Sequence, residues 1–457
     1  MTTVAIAGGG LSGLVAARHL AEAGFDVQLF ERDPAFGGRV RSIDKDGFVL
    51  DRGFQVLLTE YPAAQRELDY DALDLKRFPP GVVLASPNSR VTLGDPLRDL
   101  SALSQAIFSR AMTTRDKLLA LKLRRQLART PDEQLLEDDG RTIREGLSEF
   151  DFSARFIDRI AAPLYGGITF DRSLSASMGV FNYTFEKFSA GHAAVPATGM
   201  QAIPDQLAER ARNAGATLHL NTRVETIAET EDDSADEGGR ARRPSTHDAP
   251  LWKRETLIEN GNSRTGGALT VDLGREALAV DAVVVATDPA TAQELTGVES
   301  IPTESRGCIT QYYSLPAARE LPINGHLVLN AGGTEPNHVV AHSQVAPGHA
   351  PVGQTLLSAT FLGTSDEPDS ALAGKTQAAL SAWFPEMVFD DLEPIHTERI
   401  PFAQLTQPPG FSAQRPDPRA PDGPVVLAGD YTQWSSIQGA LESGRQAAWA
   451  VEAELDS

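Results

Sequence analysis

The chain has 457 residues, 41% of them hydrophobic, with 39 glycines and 29 prolines; this is enough apolar material for more than one buried core and excludes a disordered, collagen-like or coiled-coil chain. Acidic residues outnumber basic ones 62 to 41, a net charge of −21, which argues against a nucleic-acid binder, because phosphates demand a surplus of cations. A single cysteine, Cys308, excludes a disulfide framework and a cysteine-based zinc site, and no metal is expected.

No apolar run is long enough to read as a membrane span, and the first residues lack a basic and then apolar leader, so a cytoplasmic protein is expected. Only seven of the cations are lysines. Abundant carboxylates with scarce lysine suit a salt-loaded cytoplasm, a statement about solvent rather than fold.

From the N-terminus, Val4 to Ala7 reads as a short buried strand, Gly8 to Gly13 as a turn, and Leu14 to Ala23 as a helix by its apolar spacing. Gly24 suits the helix C-cap and Phe25 to Phe30 a second strand. Residues 101–130 carry Arg110, Arg115, Lys117, Lys122, Arg124, Arg125 and Arg129 against Asp116 alone, a net +6. Their pattern is helical, with Leu103, Ile107 and Ala111 spaced by four and Leu118 and Leu121 by three. A basic helix with an apolar face suits a peripheral contact at the inner face of the membrane. It equally suits a helix whose arginines pair with acidic neighbours in the protein. High salt would screen attraction to anionic lipid within about 3 Å and leave the apolar face to decide.

Further on, Gln201 to Ala214 reads as a helix closed by Gly215, and Ala216 to Leu220 as a strand. Val224 to Ala228 and Leu269 to Leu273 are strand candidates separated by residues 229–268. That stretch is rich in Glu, Asp, Gly and Ser and then in Arg; it cannot bury a core, and a flexible surface insertion is expected. Asp281 to Ala286 and Pro424 to Ala428 read as buried strands, and Ser436 to Leu455 as a helix with small residues in its first turns. No internal repeat is visible.

Gly8, Gly10 and Gly13 fit G-x-G-x-x-G between a strand and a helix. Gly8 allows the tight turn, Gly10 lets the backbone approach a pyrophosphate, and Gly13 lets the helix pack on the strand. The helix N-terminus that follows offers N–H groups and a positive dipole end to phosphates, with Leu11 and Ser12 of the turn as further candidate contacts. Glu31 ends the second strand, where a carboxylate can hold ribose hydroxyls, and Arg32 follows it. Gly37, Gly38 and Arg39 lie just beyond, a second close backbone approach beside a guanidinium suited to pyrophosphate oxygens. Near the other end Gly429 and Asp430 close a strand, and Ser436, Ile437 and Ala440 begin a helix. A helix start there can meet the pyrimidine edge of a flavin, where negative charge develops on reduction.

This combination resembles the FAD-dependent superfamily of flavin amine oxidases, protoporphyrinogen oxidases and phytoene-type carotenoid desaturases. The glycine motif, Glu31, Gly37-Gly38-Arg39, Ala428-Gly429-Asp430 and the run from Gly439 to Gly444 carry the resemblance. Within it, Gly53 and Phe54 match the stretch beside the isoalloxazine. Val195 to Met200 and Asn221 to Val224 match the middle FAD segment, where Val224 would meet the adenine. Pro163 to Gly167 with Leu174 and Ser175 match a stretch of the desaturase and protoporphyrinogen oxidase branches. The resemblance implies a Rossmann-like α/β FAD domain with an inserted α+β substrate domain. The expected limits are 1–75, 190–290 and 395–457 for the first, and 76–189 and 291–394 for the second.

Departures bear on the branch. Where many amine oxidases carry an aromatic cage residue, this chain has Ser436, and no lysine stands between Lys253 and Lys375 to hold a water at flavin N5. Cys308 is far from the C-terminal motif, so the FAD is expected to be non-covalent. The resemblance therefore points to a dehydrogenase or desaturase taking a hydride from a small, largely apolar substrate, with isoprenoids and tetrapyrroles as candidate classes. A flavin amine oxidase using oxygen is the alternative on the same fold; a NAD-binding or non-catalytic Rossmann protein is the alternative from another class. Gln55, Tyr431 and Trp434 are expected to line the site because of their motif neighbours. Catalytic acid or base groups, the electron acceptor and the oligomeric state are left open.

Overall fold

The computed structural model describes residues 1–94, 112–137, 139–229, 269–333, 335–421 and 423–455. Most of the insertion expected at 229–268, and residues 101–111 of the basic segment, lie outside the described residues.

The first strand, β1 (Thr3–Ala7), runs into helix α1 (Leu11–Glu22) and then β2 (Asp26–Phe30), paired parallel to β1 from Thr3 opposite Asp26 to Ala7 opposite Phe30. Three later strands complete a five-stranded parallel sheet in the order Thr217–His219, β2, β1, Ala282–Val285, Val425–Leu427. A parallel sheet covered on both faces needs apolar residues at every position rather than at alternate ones. The sequence supplies them: Val4 to Ala7, Ala282 to Val285 and Val425 to Leu427 are all buried. The chain thus leaves this sheet and returns to it three times.

The C-terminal helix Ile437–Leu455 lies against α1. The approach is close enough that a Cβ on Gly444 would stand 2.3 Å from the Ser12 carbonyl oxygen. Helix Ala202–Ala214 covers the sheet as well, and Gly215 in the left-handed conformation closes it, as the sequence predicts. Small residues where helices cross let the backbones meet and fix the first turns of both helices relative to the sheet.

A seven-stranded sheet forms the second layer system. Its order is Glu393–Leu405, Ser305–Pro316, Gln354–Leu362, His338–Ala341, Leu327–Asn330, Gly81–Ser86, Ser89–Gly94. All pairs are antiparallel except Leu327–Asn330 with Gly81–Ser86. Strands from both inserts therefore share one sheet, and Glu393–Leu405, the first element of the last stretch, is its edge. A three-stranded antiparallel sheet, Thr226–Glu229, Leu269–Asp272 and Ala277–Val280, packs beside β1 of the parallel sheet.

The basic segment is helical over Thr114–Leu127, with a capping box between Thr113 and Asp116 at its start. Asp116 is wholly buried and also accepts hydrogen bonds from the backbone and hydroxyl of Ser153 (2.9 and 2.8 Å). The inward face is Leu123 and Leu127, whereas Leu118 is 65% exposed. Arg115 pairs with Asp151, Lys122 sits 5.2 Å over the Phe150 ring, and Arg124 donates to the Ser189 carbonyl (2.8 Å). Among the described residues no helix is long and apolar enough to cross a membrane.

Candidate active site

The turn after β1 is held by contacts that admit only glycine. Gly8 has φ of +107°, and a Cβ there would stand 2.5 Å from the Ala286 carbonyl oxygen. A Cβ on Gly13 would stand 2.0 Å from the Gly8 carbonyl oxygen. Gly10 is different: no atom lies within 4 Å of its Cβ position. Two glycines are thus consumed by packing, and the third leaves open space in front of the helix start.

The second glycine pair docks on the first. Gly37 donates to the Gly9 carbonyl (2.8 Å) and bridges Gly10, and a Cβ on Gly38 would stand 3.7 Å from Gly10 Cα. Glu31, only 8% exposed, accepts from the Gly9 N–H at Oε2 (2.7 Å) and from the Asp33 N–H at Oε1 (2.8 Å). Each carboxylate oxygen retains further lone-pair capacity for a ribose hydroxyl. Arg39 does not point free into solution; its Nη2 donates to Asp430 Oδ1 (2.5 Å), and its guanidinium lies 4.9 Å over Phe402.

At the C-terminal end, Asp430 also accepts from the Ser435 hydroxyl (2.8 Å), and Ser436 Oγ accepts from the Gly439 N–H (2.9 Å). The Ser12 hydroxyl donates to the Ala440 carbonyl (2.8 Å), stitching the two helix starts together. Both starts, with their positive dipole ends, therefore border one space.

That space is a cavity of about 1110 Å³, larger than the roughly 300–1,000 Å³ of common ligand pockets. Gly8, Gly10, Leu11, Ser12, Glu31, Arg32, Gly37, Gly38 and Arg39 line it, as do Gly53, Phe54, Val224, Gly429, Asp430, Ser436, Ile437 and Ala440. Gly13 does not line it, in keeping with a purely packing role. A dinucleotide fits this donor set: an open glycine face and two helix starts for phosphates, a carboxylate at the end of β2, and a backbone segment at Val224.

Of the three residues expected to line the site, Gln55 and Trp434 border the cavity. The Gln55 amide donates to the carbonyls of Arg39 (2.7 Å) and Arg52 (3.0 Å), tying the second glycine turn to the Gly53 loop. Tyr431 is not brought there. It is fully buried in the core beside the parallel sheet, and its ring occupies the side of Gly429 where a Cβ would stand. The reason is local: Asp430–Thr432 forms one short 3-10 turn that directs Asp430 to the cavity and the next side chain away from it.

Sequence reasoning missed the aromatic group around Trp434. Tyr61 lies 6.1 Å and Tyr183 5.0 Å from it by ring centroids, both edge-on, and Tyr61 also borders the cavity. It also missed His338, on the wall formed by the seven-stranded sheet and 5.3 Å from the Phe54 ring. Neither Tyr61 nor His338 lies in a motif, and they reach the cavity only through tertiary packing.

Comparison with known proteins agrees with this construction. The model of the flavin containing amine oxidoreductases matches residues 11–249 and 250–452. The zeta-carotene-forming phytoene desaturase of Myxococcus xanthus is 29% identical over 289 residues, which are 57% of this chain and 53% of that protein; the match thus spans about half of the relative's length. Two solved structures share the fold over nearly their whole lengths. An oxidoreductase from Methanosarcina mazei has a TM-score of 0.68 at 16% identity, covering 98% of this chain and 99% of that one. Cyclohexylamine oxidase from Brevibacterium oxydans has a TM-score of 0.64 at 16% identity, covering 100% of both. The glycine turns, the C-terminal Asp430 and the family match together establish that this chain belongs to the flavin containing amine oxidoreductase family.

Proposed function

We propose that this enzyme dehydrogenates or desaturates a largely apolar substrate, with isoprenoids and tetrapyrroles as the leading classes. One observation carries the reading. Among the described residues, every Asp, Glu, Lys or Arg that lines the cavity, Arg39, Arg52 and Asp430 among them, comes from stretches 1–75, 190–290 and 395–457. The described lining residues from 76–189 and 291–394 include no Asp, Glu, Lys or Arg, and are largely apolar, with Phe78, Leu164, Ile168, Phe185 and Leu329 among them. The charged half suits a dinucleotide; the uncharged half suits a hydrocarbon body.

FAD, when bound, supplies the hydride acceptor. The chain's own part is to hold and to exclude. Arg39 and Asp430 fix the seam between the two helix starts, Gln55 holds the Gly53 loop in place, and Phe54, Tyr61 and Trp434 wall the reacting region from water. The FAD is held without a covalent bond: the one cysteine, Cys308, borders the cavity but is far in sequence from the C-terminal motif, and burial raises its thiol pKa to about 12, so it carries almost no reactive thiolate.

A second reading, oxidation of an amine by oxygen, draws on the Tyr61–Trp434 pair, because aromatic faces attract cations. Anaerobic mixing separates the two: the flavin absorbance near about 450 nm should bleach with a polyprenoid and persist with primary amines. Rapid bleaching by an amine would overturn the preferred reading. Absence of flavin absorbance after reconstitution would sink both.

A peripheral position at the inner face of the membrane suits such a substrate. Leu118 stands exposed on helix Thr114–Leu127 among Arg115, Lys117 and Lys122. Co-sedimentation with anionic liposomes at low and molar salt tests it, and no binding in either condition removes it.

A further inference from the structure

Arg52 stands on the rim where the sheet wall of the cavity ends. Glu393–Leu405 is the edge strand of the seven-stranded sheet, and on it Glu398 lies directly opposite Thr310 of Ser305–Pro316. Residues opposed across two strands, and residues two apart along one strand, share a face. Thr310 and Ile400 both line the cavity, so Glu398 belongs to the same face. Arg52 lines the cavity as well, and its Nε donates to Glu398 Oε1 (3.0 Å). Thr310 is wholly buried, whereas the Glu398 side chain is 23% exposed and that of Arg52 43%. Exposure thus rises outward along this wall, and the guanidinium is within reach of a molecule that enters.

The guanidinium is held in place but only partly engaged. The Arg52 N–H donates to the Arg41 carbonyl (2.7 Å) and its own carbonyl accepts from Gln55 (3.0 Å), which fixes the backbone. Glu398 is held in turn by His396, whose Nε2 lies 3.2 Å from Oε2. The ion pair engages Nε alone, and among the described residues neither Nη of Arg52 has a hydrogen-bond partner. The free end of a guanidinium presents parallel N–H groups from its two Nη atoms, at the spacing of the oxygens of a carboxylate. Arg39 differs, because its Nη2 is taken by Asp430. An ionised carboxylate is costly to carry deeper, since the described lining from 76–189 and 291–394 offers no Lys or Arg to pair with it.

We propose that Arg52 is a specificity-determining residue whose two Nη groups pair with a carboxylate at one end of an otherwise apolar substrate. The inference rests on the reading of this cavity as an apolar-substrate site and narrows it to amphipathic acids. The hydrocarbon body meets the uncharged walls, and the charged end stays at the rim beside the Gly53 loop. That loop is packed on the sheet, where a Cβ on Gly53 would stand 2.7 Å from Ile400 Cδ1, and it carries Arg52 with it. A pure hydrocarbon leaves the Nη donors to water, and a protonated amine has no lone pair to offer them.

The test uses the FAD-loaded protein at about pH 8, where a carboxylic acid is ionised, and two probes, geranylgeranoic acid and its methyl ester, titrated by fluorescence. The wild type should bind the acid at least about tenfold more tightly, the difference that one charge-assisted pair supplies. The preference should shrink in molar salt, because the pair is partly exposed. Arg52→Met should abolish the preference while leaving ester affinity unchanged, and Arg52→Lys, which keeps the charge without the fork, should retain part of it. Equal binding of both probes by the wild type, or an undiminished preference in Arg52→Met, overturns the proposal. Should the methionine variant fail to fold, the lysine variant decides, and an undiminished preference there overturns it as well. Loss of flavin absorbance from a folded Arg52→Met would assign the residue to the cofactor and likewise overturn the proposal. If neither probe binds, the apolar-substrate reading fails and this inference fails with it, whereas binding without preference counts against Arg52 alone.

Discussion

Arg39 and Asp430 are 391 residues apart in the chain, and their side chains meet at 2.5 Å on the cavity wall. The pair joins the second glycine turn to the C-terminal motif, and only Asp430 is fully withdrawn from water, at 4% exposure against 36% for Arg39. Arg39→Ala leaves a buried carboxylate with only the Ser435 hydroxyl as partner. The expected result is a loss of about 1–3 kcal/mol of stability and weaker retention of FAD. Asp430→Asn, which keeps the shape without the charge, should cost less stability. Thermal melts and FAD titration of the apoprotein check both, and equal melting of Arg39→Ala and wild type would contradict the argument.

Two glycines of one motif should respond in opposite ways. At Gly13 an added methyl meets the Gly8 carbonyl at 2.0 Å, so Gly13→Ala should destabilise the apoprotein, by about 1–3 kcal/mol as overpacking does. At Gly10 the methyl meets nothing within 4 Å and φ is −74°, so alanine is tolerated by the protein itself. Gly10→Ala should therefore melt within about 3 °C of wild type yet bind FAD at least about tenfold more weakly, because the methyl occupies the phosphate approach. Urea denaturation and flavin titration separate the effects. A Gly10 variant with unchanged FAD affinity would remove that glycine from the site.

Acid should weaken the fold in a defined window. His338 and His342 are buried and neutral, with pKa values lowered to about 4 and about 3 from 6.5, chiefly by burial. For such a group the unfolded chain binds the proton first. The stabilisation is complete above about 6.5 and is lost as pH falls towards the folded values, by ~3 kcal/mol for His338. Asp51, whose carboxyl burial pushes upward, acts in the opposite sense, contributing stability at low pH that is lost as pH rises through its folded value. Urea midpoints measured from pH 7 to pH 4 should fall, and His342→Asn should flatten the slope. An unchanged slope in that variant would show that His342 has the same proton affinity folded and unfolded.

Cys308 should behave as a silent thiol. It is 2% exposed and burial pushes its pKa up to about 12, so almost no thiolate exists near neutrality. A thiol reagent should titrate no cysteine in the folded protein and one per chain in denaturant, with all flavin released into solution at the same time. Flavin that stays with the denatured chain would disprove non-covalent binding.

The five-stranded sheet and its phosphate turns were legible because each is a local pattern with a local cause. Short all-apolar runs make buried parallel strands, and glycine spacing follows from backbone clashes at Gly8 and Gly13 that exist whatever lies elsewhere. The pairing of β2 with Thr217–His219 was not legible, since it joins residues nearly 190 positions apart. The substrate wall escaped for the same reason. His338 meets Phe54, and Thr310 the neighbouring Gly53, only through the register of three antiparallel strands.

By itself the sequence determined a dinucleotide fold and the cofactor class, and its charge of −21 determined that the surface is acidic. The tertiary structure decided which side chains share the cavity. It engaged Arg39 with Asp430, turned Tyr431 into the core and brought His338 into the sheet wall beside Phe54. The physical reason is that local chemistry is written in adjacent residues, whereas the polarity of a cavity depends on which distant strands fold against one another.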